Sequence, residues 1–181
     1  MEIDNLIMKI LNKNFLIATW LILCAVILRI VFNKLQWWNF SPITAMALFA
    51  GYAYTNKRFS FLIPIAAMLL SDLYLGLHSG MIIVYTAIGI VTFIGLFLSG
   101  KSIAYIIGGS LVSSGFFYLY TNLVFWYSPE LYPISWSGQI QSYLAALPFF
   151  KASVVSDLMF TGILFGVYHF IKQRERAPQI L

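Results

Sequence analysis

Charged residues are scarce in this sequence. Asp, Glu, Lys and Arg together make up 9% of its 181 residues, whereas soluble domains carry about 25%. Hydrophobic residues make up 61%, and a water-soluble globule of this length has no room to bury so much apolar surface. The composition therefore excludes a soluble globular protein and predicts a chain that is surrounded by lipid.

The residues that most often carry chemistry are also few. The single cysteine, Cys24, excludes an intramolecular disulfide, and the two histidines, His78 and His169, are too far apart in sequence to suggest a metal site. The sequence has no phosphate-binding glycine loop with a lysine and no G-x-S-x-G motif. We therefore expect no cofactor, no bound metal, no ATP hydrolysis by this chain and no enzymatic activity.

What the sequence does contain is a series of long apolar runs. They predict an all-α integral membrane protein in which one domain holds six transmembrane helices over residues 15–171. The second run is short and begins at Ser41-Pro42, where proline suits the first turn of a helix. The predicted spans cover residues 15–32, 41–54, 59–77, 81–98, 102–127 and 151–171.

Three further segments flank the spans. Residues 1–14 have apolar residues at helical spacing with charges between them, which predicts an amphipathic helix in the membrane interface; the alternative is a tail that continues into the first span. Residues 128–138 are too polar and too rich in proline and glycine to span, and residues 139–150 are predicted to form a surface or re-entrant helix. A basic tail covers residues 172–181.

The basic residues indicate the orientation of the chain. They are scattered along the sequence, which favours orientation signals over a nucleic-acid-binding face. With six spans, eight lie on the side of the termini and three on the other side. The eight are Lys9, Lys13, Lys57, Arg58, Lys101, Lys172, Arg174 and Arg176, and the three are Arg29, Lys34 and Lys151. The sequence thus predicts that both termini face the cytoplasm, across a bacterial inner membrane.

The polar residues of the spans are predicted to fall in the extracytoplasmic half of the membrane, together with most of the tryptophans. An ionised group at mid-membrane costs about 2.5–3.5 kcal/mol on insertion scales, so such residues usually face a cavity or a partner. An aromatic-walled pocket open to the outside would explain the grouping. The candidate solute-binding residues are Arg29, Asn39, Asp72, Asn122, Trp126, Tyr132, Lys151 and Asp157.

Alternatives remain open for these residues. Arg29 and Lys151 have long stems that can reach the outer interface without a partner, and a belt of aromatic residues at the membrane surface explains many of the tryptophans. Asp72 and Asp157 are either structural partners or pocket residues. They share a faint repeat, in which Ser-Asp-Leu follows a proline by seven or eight residues, of the kind seen in transporters with duplicated halves.

Several short motifs carry a resemblance to a known family. They are Asn39-Phe-Ser-Pro-Ile-Thr-Ala-Met-Ala-Leu-Phe-Ala-Gly51, Ser71-Asp-Leu-Tyr-Leu-Gly76, Thr121-Asn122 with Trp126, Tyr132-Pro133, and Pro148-Phe-Phe150 with Asp157. Over residues 39–166 the chain resembles small bacterial membrane proteins described as transport proteins of unknown function. In size and topology it is also similar to the substrate-binding S components of energy-coupling-factor vitamin transporters. That similarity implies an outward-facing pocket and association with a separate scaffold and ATPases.

The sequence therefore predicts a membrane transport protein that binds a small, vitamin- or precursor-like solute at an outward-facing site. Its expected partners are the lipid bilayer, the solute and an energising scaffold and ATPase module or other membrane subunits. One alternative is a non-catalytic accessory subunit of a larger membrane complex. Another is an intramembrane enzyme in which Asp72 and Asp157 share a proton.

Overall fold

The chain folds as an all-α membrane protein, as its composition predicts. The computed structural model describes residues 2–127 and 129–176, with the side chains of residues 17–123, 125–127 and 129–174. The described helices are α1 (Glu2–Lys34), α2 (Ile43–Ala53), α3 (Lys57–Leu75), α4 (Met81–Leu98), α5 (Ile103–Thr121) and α6 (Trp136–Arg176). Five of the six are long and apolar enough to cross a membrane. The last five residues of the predicted basic tail lie outside the described residues.

The first helix, α1, is continuous from Glu2 to Lys34. The sequence analysis separated an interfacial helix over residues 1–14 from a span over residues 15–32, and the structure joins the two. No proline or glycine interrupts this run, so nothing in the backbone favours a break. Its 33 residues extend over about 50 Å, well beyond the roughly 30 Å of a hydrocarbon core.

The short helix α2 lies at the centre of the bundle. It contacts α3, α4, α5 and α6, and eight of its 11 residues are buried. Eleven residues make a helix of about 16 Å, roughly half the thickness of a hydrocarbon core. The non-helical residues 35–42 lead from α1 to its start. Irregular backbone at membrane depth is tolerated only inside protein or beside a water-filled cavity.

Glycines join α2 closely to α4. A Cβ atom added to Gly51 would lie 2.1 Å from the Thr92 carbonyl oxygen, and one added to Gly95 would lie 2.2 Å from the Leu48 carbonyl oxygen. The two backbones are therefore in direct contact, as small residues allow between membrane helices. The sequence indicates this contact through the small residues Ala47 and Gly51, four apart on one face of α2.

The last helix, α6, is longer than predicted. It covers 41 residues with Pro148 in its interior, whereas the sequence analysis placed a surface or re-entrant helix at residues 139–150 and a span at 151–171. Proline removes one backbone hydrogen bond and disfavours the helix locally. The chain nevertheless continues as one helix, because membrane helices tolerate proline where neighbouring groups satisfy the freed carbonyl.

Candidate functional site

A cavity of about 590 Å³ opens at one end of the bundle. Its wall is built from the C-terminal end of α1, the non-helical residues 37–41, the start of α2, the start of α4, the end of α5 and the middle of α6. This is the end that the sequence analysis predicts to face away from the cytoplasm. The volume lies within the range of small-molecule sites.

Aromatic and polar side chains share the wall of this cavity. Three of the five tryptophans line it, namely Trp37, Trp38 and Trp126. The wall also holds Arg29 and His78, together with amide and hydroxyl side chains. Such a mixture of ring faces and a few hydrogen-bonding groups is typical of pockets that bind small molecules.

The structure divides the eight sequence-predicted site residues into three groups. Four of them line the cavity: Arg29, Asn39, Asn122 and Trp126. Three lie one layer behind its wall: Asp72, Tyr132 and Asp157. The eighth, Lys151, is exposed on α6 and is not part of the wall. The exposure of its side chain agrees with the alternative in which this lysine reaches the membrane surface.

Arg29 and Asp72 form an ion pair beside the cavity. Arg29 Nη1 lies 2.6 Å from Asp72 Oδ1 and also donates to Ser71 Oγ. The hydroxyl of Tyr85 donates to Asp72 Oδ2 over 2.8 Å. Asp72 is fully buried, whereas the Arg29 side chain is 19% exposed and lines the cavity. For Asp72 the structure therefore shows a structural partner, one of the two alternatives that the sequence left open, and it places the cation between the carboxylate and the cavity.

Asp157 has no basic side chain as a partner within the part of the chain that the structure describes. It is 2% exposed, and Ser114 Oγ donates to its Oδ2 over 2.6 Å. The side chain of Thr44, in the first turn of α2 and on the cavity wall, also interacts with this carboxylate. Asp157 thus fixes the start of α2, and Thr44 separates it from the cavity.

The neighbouring Ser156 fastens the same helix start by a different route. Its hydroxyl donates to the Ser41 carbonyl over 2.7 Å and accepts from the Ser41 amide over 2.8 Å. Both backbone groups of one non-helical residue are satisfied by one side chain of α6. This double contact supports the irregular segment at a depth where bare peptide groups are costly.

Asn122 closes the other side of the cavity, at the end of α5. Its Nδ2 donates to the Tyr118 carbonyl over 2.9 Å, and its Oδ1 accepts from the Tyr127 hydroxyl over 3.1 Å. Its own carbonyl accepts from Ser142 Oγ over 2.9 Å. Burial, reinforced by the neighbouring Tyr132, raises the pKa of Tyr127, so this hydroxyl stays protonated and keeps donating at neutral pH. Asn122 therefore shapes the wall as well as lining it.

Asn39 sits in a backbone conformation that few residues adopt. Its φ is 60°, in the left-handed region where asparagine is enriched among non-glycine residues. Its carbonyl accepts a hydrogen bond from Ser153 Oγ over 3.4 Å. The turn that carries Trp37 and Trp38 into the cavity wall is therefore held by its own backbone geometry and by α6.

The sequence analysis missed several residues that organise the site. Tyr85, Ser114 and Thr44 bind the two aspartates, and Ser41 and Ser156 hold the start of α2. Hydroxyl residues are common in membrane helices, and their spacing does not reveal which carboxylate they face. The block 39–51, singled out in the sequence, did contain two of these five.

The two aspartates have separate partners, so the geometry offers no support for a shared-proton dyad. Within the described ranges, no group of three or more His, Cys, Asp or Glu side chains could hold a metal ion.

The comparisons with known proteins bear on the family only. No curated protein and no solved structure matches the chain. A family model matches residues 9–180, nearly the whole sequence. The chain therefore belongs to the family described as "Family of unknown function (DUF6580)".

Proposed function

We propose that this protein is a membrane transport protein that binds a small solute in the cavity between α1, α2, α4, α5 and α6. The cavity itself is the observation that carries this proposal. Its volume is suitable for a small molecule, and aromatic side chains line it. The short central helix α2 begins at its wall, and irregular backbone forms its rim. Transporters often build their solute sites around such discontinuous helices.

The location and the partners follow from the same proposal. Five helices long and apolar enough to cross a membrane support a multi-pass protein, and the distribution of basic residues favours a bacterial inner membrane with the cavity facing outward. The size of the chain and the volume of this cavity are compatible with an S-component-like role, in which a separate scaffold and ATPases supply the energy. This chain itself has no nucleotide-binding motif.

Blocking the cavity tests the proposal directly. Ser79 is exposed and lines the cavity on the loop between α3 and α4, so Ser79→Phe fills the space without disturbing a packed core. Ser99 is an exposed serine at the other end of α4, and Ser99→Phe is the matched control. The parent and both variants are purified from bacterial membranes, and the small molecules that co-purify are identified by mass spectrometry.

We expect a solute to co-purify with the parent and with Ser99→Phe and to be reduced at least tenfold in Ser79→Phe. The identified solute should then accumulate in cells that express the parent and not in cells that express Ser79→Phe. Equal recovery from all three proteins would contradict binding in the cavity. Co-purification of another membrane protein without any solute would favour the accessory-subunit alternative.

A further inference from the structure

The charges on the cavity wall restrict the chemistry of the solute. Among the described residues that line the cavity, none is Asp or Glu, whereas Arg29 and His78 are present. Both aspartates of the spans lie behind the wall. Asp72 accepts hydrogen bonds from Arg29 and Tyr85, and Asp157 accepts one from Ser114. A cationic solute would therefore meet no carboxylate in this site.

Arg29 retains the donors that an anion needs. All of its hydrogen bonds to described residues are made by Nη1, which leaves the N–H groups of Nη2 and Nε. These groups form one edge of the planar guanidinium, the geometry that binds a carboxylate through two parallel hydrogen bonds. Asp72 and Ser71 hold the arginine in place, so little side-chain entropy is lost when an anion binds.

The rest of the wall suits a planar ring. Phe149 and Phe150 line the cavity from α6, and Trp37 and Trp38 line it from the segment before α2. The ring of Phe150 also stacks on Tyr118, with 4.5 Å between their centroids, so this aromatic face is held in a fixed position. Aromatic faces of this kind pack favourably against planar molecules in offset or edge-to-face arrangements.

We propose that the solute is a ring-bearing carboxylate and that Arg29 receives its carboxylate group. This inference rests on the proposed function, because it concerns the solute of the same cavity. It assigns Asp72 the role of a positioning residue, which orients Arg29 from behind and does not touch the solute.

The test uses pairs of probes in which a neutral amide replaces the carboxylate on the same ring. The pairs are benzoate and benzamide, nicotinate and nicotinamide, and indole-3-acetate and indole-3-acetamide, titrated by calorimetry into the parent protein in detergent. We expect at least one acid to bind at least ten times more tightly than its amide, since a charge-assisted pair with arginine is lost in the amide.

A charge-balanced variant assigns the effect to Arg29. Arg29→Gln/Asp72→Asn removes the cation together with the carboxylate that it neutralises, so no buried charge is left alone. Thermal unfolding first shows that this variant is folded. We then expect it to bind the acid and the amide with equal affinity. A preference for the acid that survives in the double variant would overturn the assignment to Arg29.

The other outcomes separate this inference from the proposed function. If the amides bind as tightly as the acids, and Ser79→Phe abolishes both, the cavity binds solutes but the carboxylate assignment is wrong. If neither member of any pair binds and no solute co-purifies with the parent, both proposals fail.

Discussion

Two Ser-Asp pairs, Ser71-Asp72 on α3 and Ser156-Asp157 on α6, are equally buried and hold different kinds of partner. The first pair receives the guanidinium of Arg29. The second receives hydroxyl groups and the start of α2. On α3 the same dipeptide therefore forms an ion pair with Arg29, and on α6 it holds the start of α2. The partner, and not the burial of the carboxylate, determines which substitutions the protein tolerates.

The largest expected effect comes from removing Arg29, the cation that pairs with Asp72. Arg29→Leu leaves Asp72 buried without its charge partner, which typically costs about 3–5 kcal/mol of unfolding free energy. The loss is measured by denaturant unfolding in detergent micelles. Adding Asp72→Asn should recover most of it. Lys34→Leu, at an exposed lysine of the same helix, should cost less than about 1 kcal/mol.

A serine substitution compares the hydroxyls of the two pairs. Ser156→Ala removes both hydrogen bonds to the Ser41 backbone and should cost about 1–3 kcal/mol, because a buried amide loses its partner. Ser71 donates only within its own helix, and Arg29, which donates to it, also has Asp72 and the Met68 carbonyl as acceptors. Ser71→Ala should therefore cost about 1 kcal/mol or less. Chemical unfolding of the two variants side by side gives the difference. A larger loss for Ser71→Ala would reverse the roles assigned to the two hydroxyls.

The third change separates positioning from solute contact. Asp72→Asn keeps an oxygen that can accept from Arg29 and removes the negative charge behind it, so an acid probe should bind about ten times more tightly, equivalent to about 1.4 kcal/mol. Calorimetry with the acid and amide pairs measures the effect, and the amides should be unaffected. If Asp72 contacted the solute directly, the same change would also alter the binding of the uncharged amides.

The smallest effect is expected at Asp157. Its partners are the hydroxyls of Ser114 and Thr44, which can each donate or accept. Asp157→Asn should therefore change the unfolding free energy by less than about 1 kcal/mol. A loss as large as that of Arg29→Leu would mean that Asp157 carries a charge on which the fold depends.

The sequence predicted the kind of fold better than the limits of its helices. Apolar runs long enough to cross the hydrocarbon core indicated the five long helices, and a shorter run that begins at Ser41-Pro42 indicated α2. Continuity was harder to predict: residues 1–14 look amphipathic and Pro148 looks like a break, yet α1 and α6 run through both. Propensity is a weak signal once neighbouring helices cover the chain.

The sequence predicted part of the cavity lining, because the position of a residue along its span indicates its depth in the membrane. The depth of Arg29, Asn39, Asn122 and Trp126 followed from the order of the spans, and all four line the cavity. Depth does not reveal which way a side chain points around the helix axis, so Lys151 was grouped with them although it is exposed on the outside of the bundle. For the same reason, the depth of Asp72 and Asp157 did not reveal that both lie behind the cavity wall.

The close contact of Gly51 and Gly95 has a consequence for motion. Because the backbones of α2 and α4 touch, neither helix can slide past the other without a collision. The start of α2, which lines the cavity, therefore moves together with α4. The opposite flank of α2 packs on α6 through the rings of Phe49 and Phe165, whereas α5 and α6 meet along a polar seam in which Ser114 bonds to Asp157 and Thr161 bonds to Ser110. Hydrogen bonds between hydroxyls exchange partners far more readily than packed backbones separate. A rearrangement of the bundle would therefore separate α5 from α6 along this polar seam more readily than it would break the glycine contact between α2 and α4.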